Sequence, residues 1–186
     1  LILAKYKHGE DISSEMDLKD IPDTLGSILL SRVDLLEEDI KELLQKASVL
    51  GVEFYVKLLE ILNRDLGKTS DINSEIYDLE KLNFIHPAQS LSDFYLFKNV
   101  LTREVSYKTI LKSNRKIMHH MAGDVIESEY HDRVELFLYD LAIHFDLAEN
   151  EEKAKIYLNS AGQMAASIYD NTQAITFYER YIELLK

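Results

Sequence analysis

Phe84-Ile85-His86-Pro87-Ala88-Gln89-Ser90-Leu91-Ser92-Asp93-Phe94-Tyr95-Leu96-Phe97 is the stretch on which the fold turns. Its two ends are aromatic and β-branched, the composition of half-buried strands, and the middle carries proline and small polar residues. This reads as a β-hairpin, and no other segment makes as good a case for one. With 6 Gly and 2 Pro, the rest of the chain favours long uninterrupted helices.

Working upstream, apolar residues recur at helical spacing. Residues from about 8 to 20 are polar and aperiodic, a loop. Pro22 stands where a first helical turn tolerates it, and Leu25, Ile28, Leu29, Val33 and Leu36 follow on one stripe. Ile40, Leu43, Leu44 and Ala47 mark a second helix ended by Gly51, and Tyr55, Leu58, Leu59 and Leu62 a third. Asp65 to Asp71 is a loop, with Ser70 or Asp71 capping a fourth helix through Ile76, Leu79 and Leu82. Helices followed by one two-stranded hairpin outline a winged helix.

Downstream of the hairpin the period is helical again. Leu101, Val105, Tyr107, Ile110 and Leu111 share one helix. Met118, Met121, Ala122 and Val125 share the next, and Val134, Leu138, Leu141, Ala142 and Phe145 another. Ala154, Tyr157, Leu158, Ala161 and Ala165 precede Ala174, Phe177, Tyr178 and Tyr181. Small residues with aromatics three and four positions later suit the antiparallel helix pairs of a solenoid, and the 20 residues between Ala154 and Ala174 suit the two helices of one hairpin. The expected fold class is therefore mainly α: a winged-helix domain with one small β-hairpin, then antiparallel helical-hairpin repeats.

Composition narrows function. The 186 residues carry 21 Lys+Arg against 33 Asp+Glu, a formal net charge of −12. An acidic surface disfavours general affinity for phosphate backbones. Zero cysteine removes disulfides, thiolate metal sites and cysteine nucleophiles together, and fits a reducing, cytoplasmic setting. No apolar run reaches the ~18–20 residues of a membrane span. The chain opens at Leu1 on an apolar run and closes after Ile182 and Leu185 without a cap or stop signal, which reads as a piece of a longer polypeptide.

No catalytic constellation emerges. Gly67-Lys68-Thr69 imitates the last letters of a phosphate-binding loop but lacks the upstream glycine. His119 and His120 are neighbours, so on a helix they point about 100° apart and do not jointly hold a metal. The histidines, including His131 near Glu127, read as surface residues, and runs such as Glu37-Glu38-Asp39 as solvated helix faces. One basic patch opposes the acidic average: Lys108, Lys112, Arg115 and Lys116, with His119 and His120 beyond it. It is either a docking or nucleic-acid contact or an ordinary cationic face. The fourth helix, Ser74-Glu75-Ile76-Tyr77-Asp78-Leu79-Glu80-Lys81, places three acids where a DNA-reading winged helix needs cations.

Several strings occur in a telling order: Ile21-Pro-Asp-Thr-Leu25, Ser31-Arg-Val-Asp-Leu-Leu36, Leu44-Gln-Lys-Ala-Ser-Val-Leu-Gly51, Glu53-Phe54 and Leu79-Glu-Lys-Leu82. They continue with Tyr95-Leu-Phe-Lys-Asn-Val-Leu-Thr-Arg-Glu-Val-Ser-Tyr107, Asn114-Arg-Lys-Ile-Met-His119, Leu141-Ala-Ile-His-Phe145 and Glu152-Lys-Ala154…Tyr157-Leu158…Ala161-Gly162. Over residues 21 to 180 the chain resembles the segment downstream of the ATPase core in signal-transduction ATPases with numerous domains, particularly those joined to adenylate/guanylate cyclase or kinase domains. The resemblance implies residues 1–20 as a linker from an upstream ATPase, 21–113 as a winged-helix domain and 114–186 as the start of tetratricopeptide-like repeats. It implies a non-catalytic role, coupling an ATP- or ADP-bound state in the parent to an effector. The partners would be the ATPase of the same chain and a protein bound by the repeats, with no cofactor held here. Where the family carries a phosphate-contacting histidine after the wing, this chain has Asn99, whose amide donates a hydrogen bond but carries no charge. Asn99 equally suits the cap of the helix that follows. The alternative function is a nucleic-acid-binding winged-helix regulator using the Lys108 to His120 patch.

Overall fold

The computed structural model describes residues 23–67, 72–88 and 93–186. The linker expected over 1–20, Pro22, the Ser70 and Asp71 cap and most of the hairpin tip lie outside them. By contacts the chain divides into two compact units that meet between Met118 and His119. The sequence reading put the boundary at 113/114.

In the first unit α1 (Asp23–Asp34) and α2 (Glu38–Leu50) precede a short strand β1 (Glu53–Tyr55), then α3 (Val56–Asp65) and α4 (Ile72–Lys81). Strands β2 (Ile85–Pro87) and β3 (Phe94–Phe97) lead to α5 (Val100–Lys108). The hairpin is present, but the sheet has three antiparallel strands in the order β1-β3-β2. β1 pairs Phe54 with Tyr95, and β2 pairs Ile85 with Phe97. Tyr55, expected on the third helix, belongs to this strand. Pairing keeps the Tyr55 ring 4.7 Å from that of Phe94, so cross-strand aromatic contact outweighs the helical stripe that begins at Leu58.

α2 is the hub. Leu43, Leu44 and Ala47 are 2% exposed or less, and α3, α4 and α5 all pack against it. It ends where expected, at Gly51, whose φ of 128° is left-handed territory that side chains avoid. The helix expected to run through Leu111 stops at Lys108. Arg115 explains the break: its Nε donates to the Ile110 carbonyl at 2.9 Å, and a terminal nitrogen reaches the Lys108 carbonyl. Carbonyls that a longer helix would bond internally are thus satisfied by a side chain, and Leu111 is left 70% exposed.

α6 (Lys112–Glu129) crosses the division between the units. Beyond it come a 3-10 segment (His131–Phe137), α7 (Leu138–Leu147), α8 (Glu151–Ser167) and α9 (Asn171–Leu184). Val134, expected on the helix of Phe145, sits in the 3-10 segment, where Arg133 breaks the helical path at φ −144°. The α7–α8 and α8–α9 turns repeat one device. Glu149 and Tyr169 take left-handed φ of 56° and 61°, and Asn150 and Asp170 then cap the following helix. In each, the capping residue's N–H also closes back five residues, to the Phe145 and Ala165 carbonyls. Turns this short run successive helices antiparallel, and α8 packs on both α7 and α9.

The buried stripe of α6 keeps Ala122 and Val125 of the expected set and adds His119, Gly123 and Ile126. Met118 and Met121 are half-buried, whereas His119, Ala122, Gly123 and Ile126 are buried. A helix turns ~100° per residue, so counting His119 as polar hides the side of the face that it shares with Gly123 and Ile126.

Candidate functional site

Asn99 is the N-cap of α5. Its Oδ1 accepts from the Thr102 N–H at 2.8 Å and from the Thr102 hydroxyl at 2.9 Å. The carboxamide oxygen is therefore committed to the helix end, and the residue is exposed. Of the two readings the sequence left open, the cap is the one with geometry behind it.

The basic patch is not a continuous free surface. Arg115 is half-buried, clamped onto the α5–α6 turn and seated 4.8 Å from the Tyr107 ring centre. Arg103 lies 4.6 Å from the same ring, donates to the Ser48 carbonyl at 2.7 Å and pairs with Glu104 at 2.5 Å. Lys108 and Lys116 also have interaction partners. Lys112 is exposed at the start of α6. Arg103 and Arg115 hold a buried tyrosine and, through Arg115, a helix junction, work that suits Arg's planar fork and stacking face.

His119 is a correction: it is fully buried, not a surface residue. Its Nδ1 lies 2.8 Å from Nδ1 of His144, which is 4% exposed. At that distance one ring donates and the other accepts, so the pair holds one proton between these two atoms. The sequence reading does not join them, because it weighs His119 only with its neighbour His120 and reads the histidines as surface residues.

Beside them lies a polar cluster on α6 and α8. Lys153 pairs with Asp124 at 2.7 Å and Glu127 at 2.5 Å, and sits 4.5 Å from the Phe145 ring centre. Tyr157 donates its hydroxyl to Glu127 and stacks on Phe145 at 5.5 Å. Burial, then the Glu127 carboxylate, pushes the Tyr157 hydroxyl well above the ordinary tyrosine range. Lys153 is also raised: desolvation opposes its charge, but the hydrogen bonds and charges of Asp124 and Glu127 outweigh it. Both shifts run away from neutral pH, opposite to the tuning of a general acid or base. On α9, Arg180 Nε contacts both carboxylate oxygens of Asp146 at 2.9 Å.

In the first unit the interior Lys46, 3% exposed, donates to Asn63 Oδ1 at 2.8 Å and lies 3.5 Å from Glu42. It is a paired buried cation, costly to break. Among the described residues no group of three or more histidines and carboxylates is placed to hold a metal ion, and no helix is long and apolar enough to cross a membrane.

Two glycines complete the inventory. A Cβ at Gly123 would stand 2.7 Å from the Phe145 ring, and one at Gly162 would stand 2.7 Å from the Tyr178 ring. The spacing is the same around both, with an Ala-Gly pair at its centre: His119-x2-Ala122-Gly123-x2-Ile126, with Leu141-x3-Phe145, against Leu158-x2-Ala161-Gly162-x2-Ala165, with Ala174-x3-Tyr178. From glycine to aromatic the first set spans 145 − 123 = 22 residues and the second 178 − 162 = 16, and the extra six fall in the 3-10 region. This doubled spacing was legible in the sequence and is the signal that would have placed His119 inside. No protein family, no curated protein and no solved structure matches this chain.

Proposed function

We propose that this chain is a non-catalytic regulatory and interaction module of a multidomain signalling ATPase, a winged helix joined to tetratricopeptide-like helix pairs that couples nucleotide state to an effector. One observation carries the reading: the twin glycine–aromatic contacts on α6–α7 and α8–α9. Tetratricopeptide repeats use an L-G-x2-Y helix followed by an A-x3-F helix, with glycine admitting the aromatic ring. The α8–α9 pair reads Leu158-x2-Ala161-Gly162-x2-Ala165…Ala174-x3-Tyr178, and α6–α7 repeats it with an enlarged turn. Such units stack into surfaces for binding other proteins rather than pockets for chemistry.

The first unit supports the other half of the reading. Helices α2 to α4 with a hairpin and a third short strand match the outline of a winged helix. The acids of α4 and the internal use of Arg103 and Arg115 weigh against duplex binding. In this reading Asn99 fixes the end of α5 rather than sensing phosphate. The nucleotide site belongs to the upstream ATPase.

Two assays on the chain test the proposal together. Phosphate release from ATP should equal the buffer blank, and fluorescence anisotropy with duplex DNA should show no salt-sensitive binding near neutral pH. Turnover overturns the non-catalytic reading. Salt-sensitive DNA binding lost in a Lys112→Glu variant installs the nucleic-acid reading instead.

A further inference from the structure

His119 of α6 and His144 of α7 meet inside the second unit. They are 0% and 4% exposed, their Nδ1 atoms lie 2.8 Å apart and their ring centres 5.1 Å apart. That bond exists only while one Nδ1 carries a hydrogen and the other does not. Imidazole is also the side chain whose ordinary pKa, ~6.5, lies closest to neutral. The joint between these two helices therefore depends on a proton count.

Protons enter such a pair in two steps. The first goes to Nε2 of the donating ring, leaves the bond between the Nδ1 atoms in place and strengthens it with charge. The second goes to Nδ1 of the accepting ring, whose Nε2 already carries hydrogen. Both facing nitrogens then hold hydrogens, and two like charges sit on touching rings in a buried site where water screens poorly. The rings must part. Gly123 is one turn beyond His119, and Phe145 follows His144, so the parting falls on the close approach of α6 to α7.

The charged groups around the pair are largely spent elsewhere. On α6, Arg115 holds the α5–α6 turn, His120 lies 3.5 Å from Asp124, and Lys116 has a partner. Lys153 and Tyr157 of α8 engage Asp124 and Glu127, and Arg180 of α9 holds Asp146. In the 3-10 segment His131, Asp132, Arg133 and Glu135 are exposed. Asp140 lies one turn before His144 on the same face, and its carboxylate favours the first added proton. One carboxylate offsets one charge, not two.

We propose that the His119–His144 pair is an acid-operated latch, holding α6 to α7 near neutral pH and releasing that contact below about pH 6 as the second proton enters. This goes beyond the regulatory reading and fails separately from it, since it turns on histidine protons and not on ATP or DNA.

The test uses the whole chain with its other histidines, His8, His86, His120 and His131, replaced by Gln, so that every imidazole signal belongs to the pair. At about pH 7.5, proton–nitrogen correlation spectra of the rings should show one protonated and one bare Nδ1. Native-state hydrogen exchange, corrected for the intrinsic pH dependence of amides, then measures opening. The open pair binds one proton more than the closed pair, so the opening constant of the α6 amides Ala122 to Ile126 should rise about tenfold from pH 6 to pH 5. The α9 amides should stay within about twofold. Adding His119→Leu and His144→Leu removes the protons and should hold the α6 change within about twofold as well. Two Nδ1 atoms in the same state at pH 7.5, an α6 change below about threefold, or an equal rise in α9 overturns the proposal, whether or not the leucine substitutions fold. A tenfold α6 rise that survives those substitutions also overturns it.

Discussion

Gly123→Ala and Gly162→Ala should differ in sign or size although both replace a helix-interior glycine. At an unhindered site alanine gains about 1 kcal/mol of helix propensity. At residue 123 the new methyl would sit 2.7 Å from Cε1 and Cζ of Phe145, far inside the ~3.5–4.0 Å of carbon contacts. The Phe145 ring is fully buried, stacked on Tyr157 and covered by Lys153, and has nowhere to go. Overpacking of this kind costs ~1–3 kcal/mol, and a trapped ring puts it at the upper end. The net expectation is a loss of about 1–2 kcal/mol, or roughly 3–6 °C in melting temperature for a chain of this size. At residue 162 the obstructing Tyr178 ring is only half-buried and can swing outward, so Gly162→Ala should fall within about 0.5 kcal/mol of neutral. Urea unfolding followed by far-UV circular dichroism measures both. Adding Phe145→Leu to Gly123→Ala should recover about 1 kcal/mol of the coupling. Stabilisation by Gly123→Ala would refute the close approach on which the repeat reading rests.

Tyr169 is 88% exposed and holds a left-handed φ of 61°, so Tyr169→Gly should stabilise the α8–α9 turn by about 0.5–1 kcal/mol, read as a higher urea midpoint. Asn99→Ala should cost about 1 kcal/mol through loss of the α5 cap, with Asn99→Asp close to the parent, both checked by urea unfolding. Tyr157 and Lys153 have folded-state pKa values raised above their ordinary ones, so the folded chain binds more protons than the unfolded one above about pH 10. Their contribution is whole below that pH and is lost as pH rises further; Tyr157→Phe should make the alkaline decline of the melting temperature shallower.

Much of the fold was legible where side-chain chemistry and local geometry agree. The hairpin of Phe84–Phe97 announced itself by aromatic runs, and Gly51 by the conformation only glycine takes without strain. β1 was hidden because three residues carry too little period, and Tyr55 completes a helical stripe as readily as a strand. The α5–α6 break was invisible because Arg115 makes it by reaching back to Ile110 and Lys108, a contact that no propensity encodes. His119 misled one edge of the α6 face: an imidazole counted as polar hid the side it shares with Gly123 and Ile126, while Ala122 and Val125 are buried as expected, and its partner His144 is remote in sequence. The internal use of Arg115 in the basic patch was hidden for a related reason, since spacing alone could not show that its guanidinium is spent on the ring of Tyr107.

The central claim is that residues beyond His119 form two helix pairs of one design, built to present surface. A two-dimensional nuclear Overhauser spectrum tests it most directly. The account predicts cross-peaks from the Gly123 α-protons to the Phe145 ring and from the Gly162 α-protons to the Tyr178 ring in the same sample. Absence of both in a chain with full helical circular dichroism would contradict it.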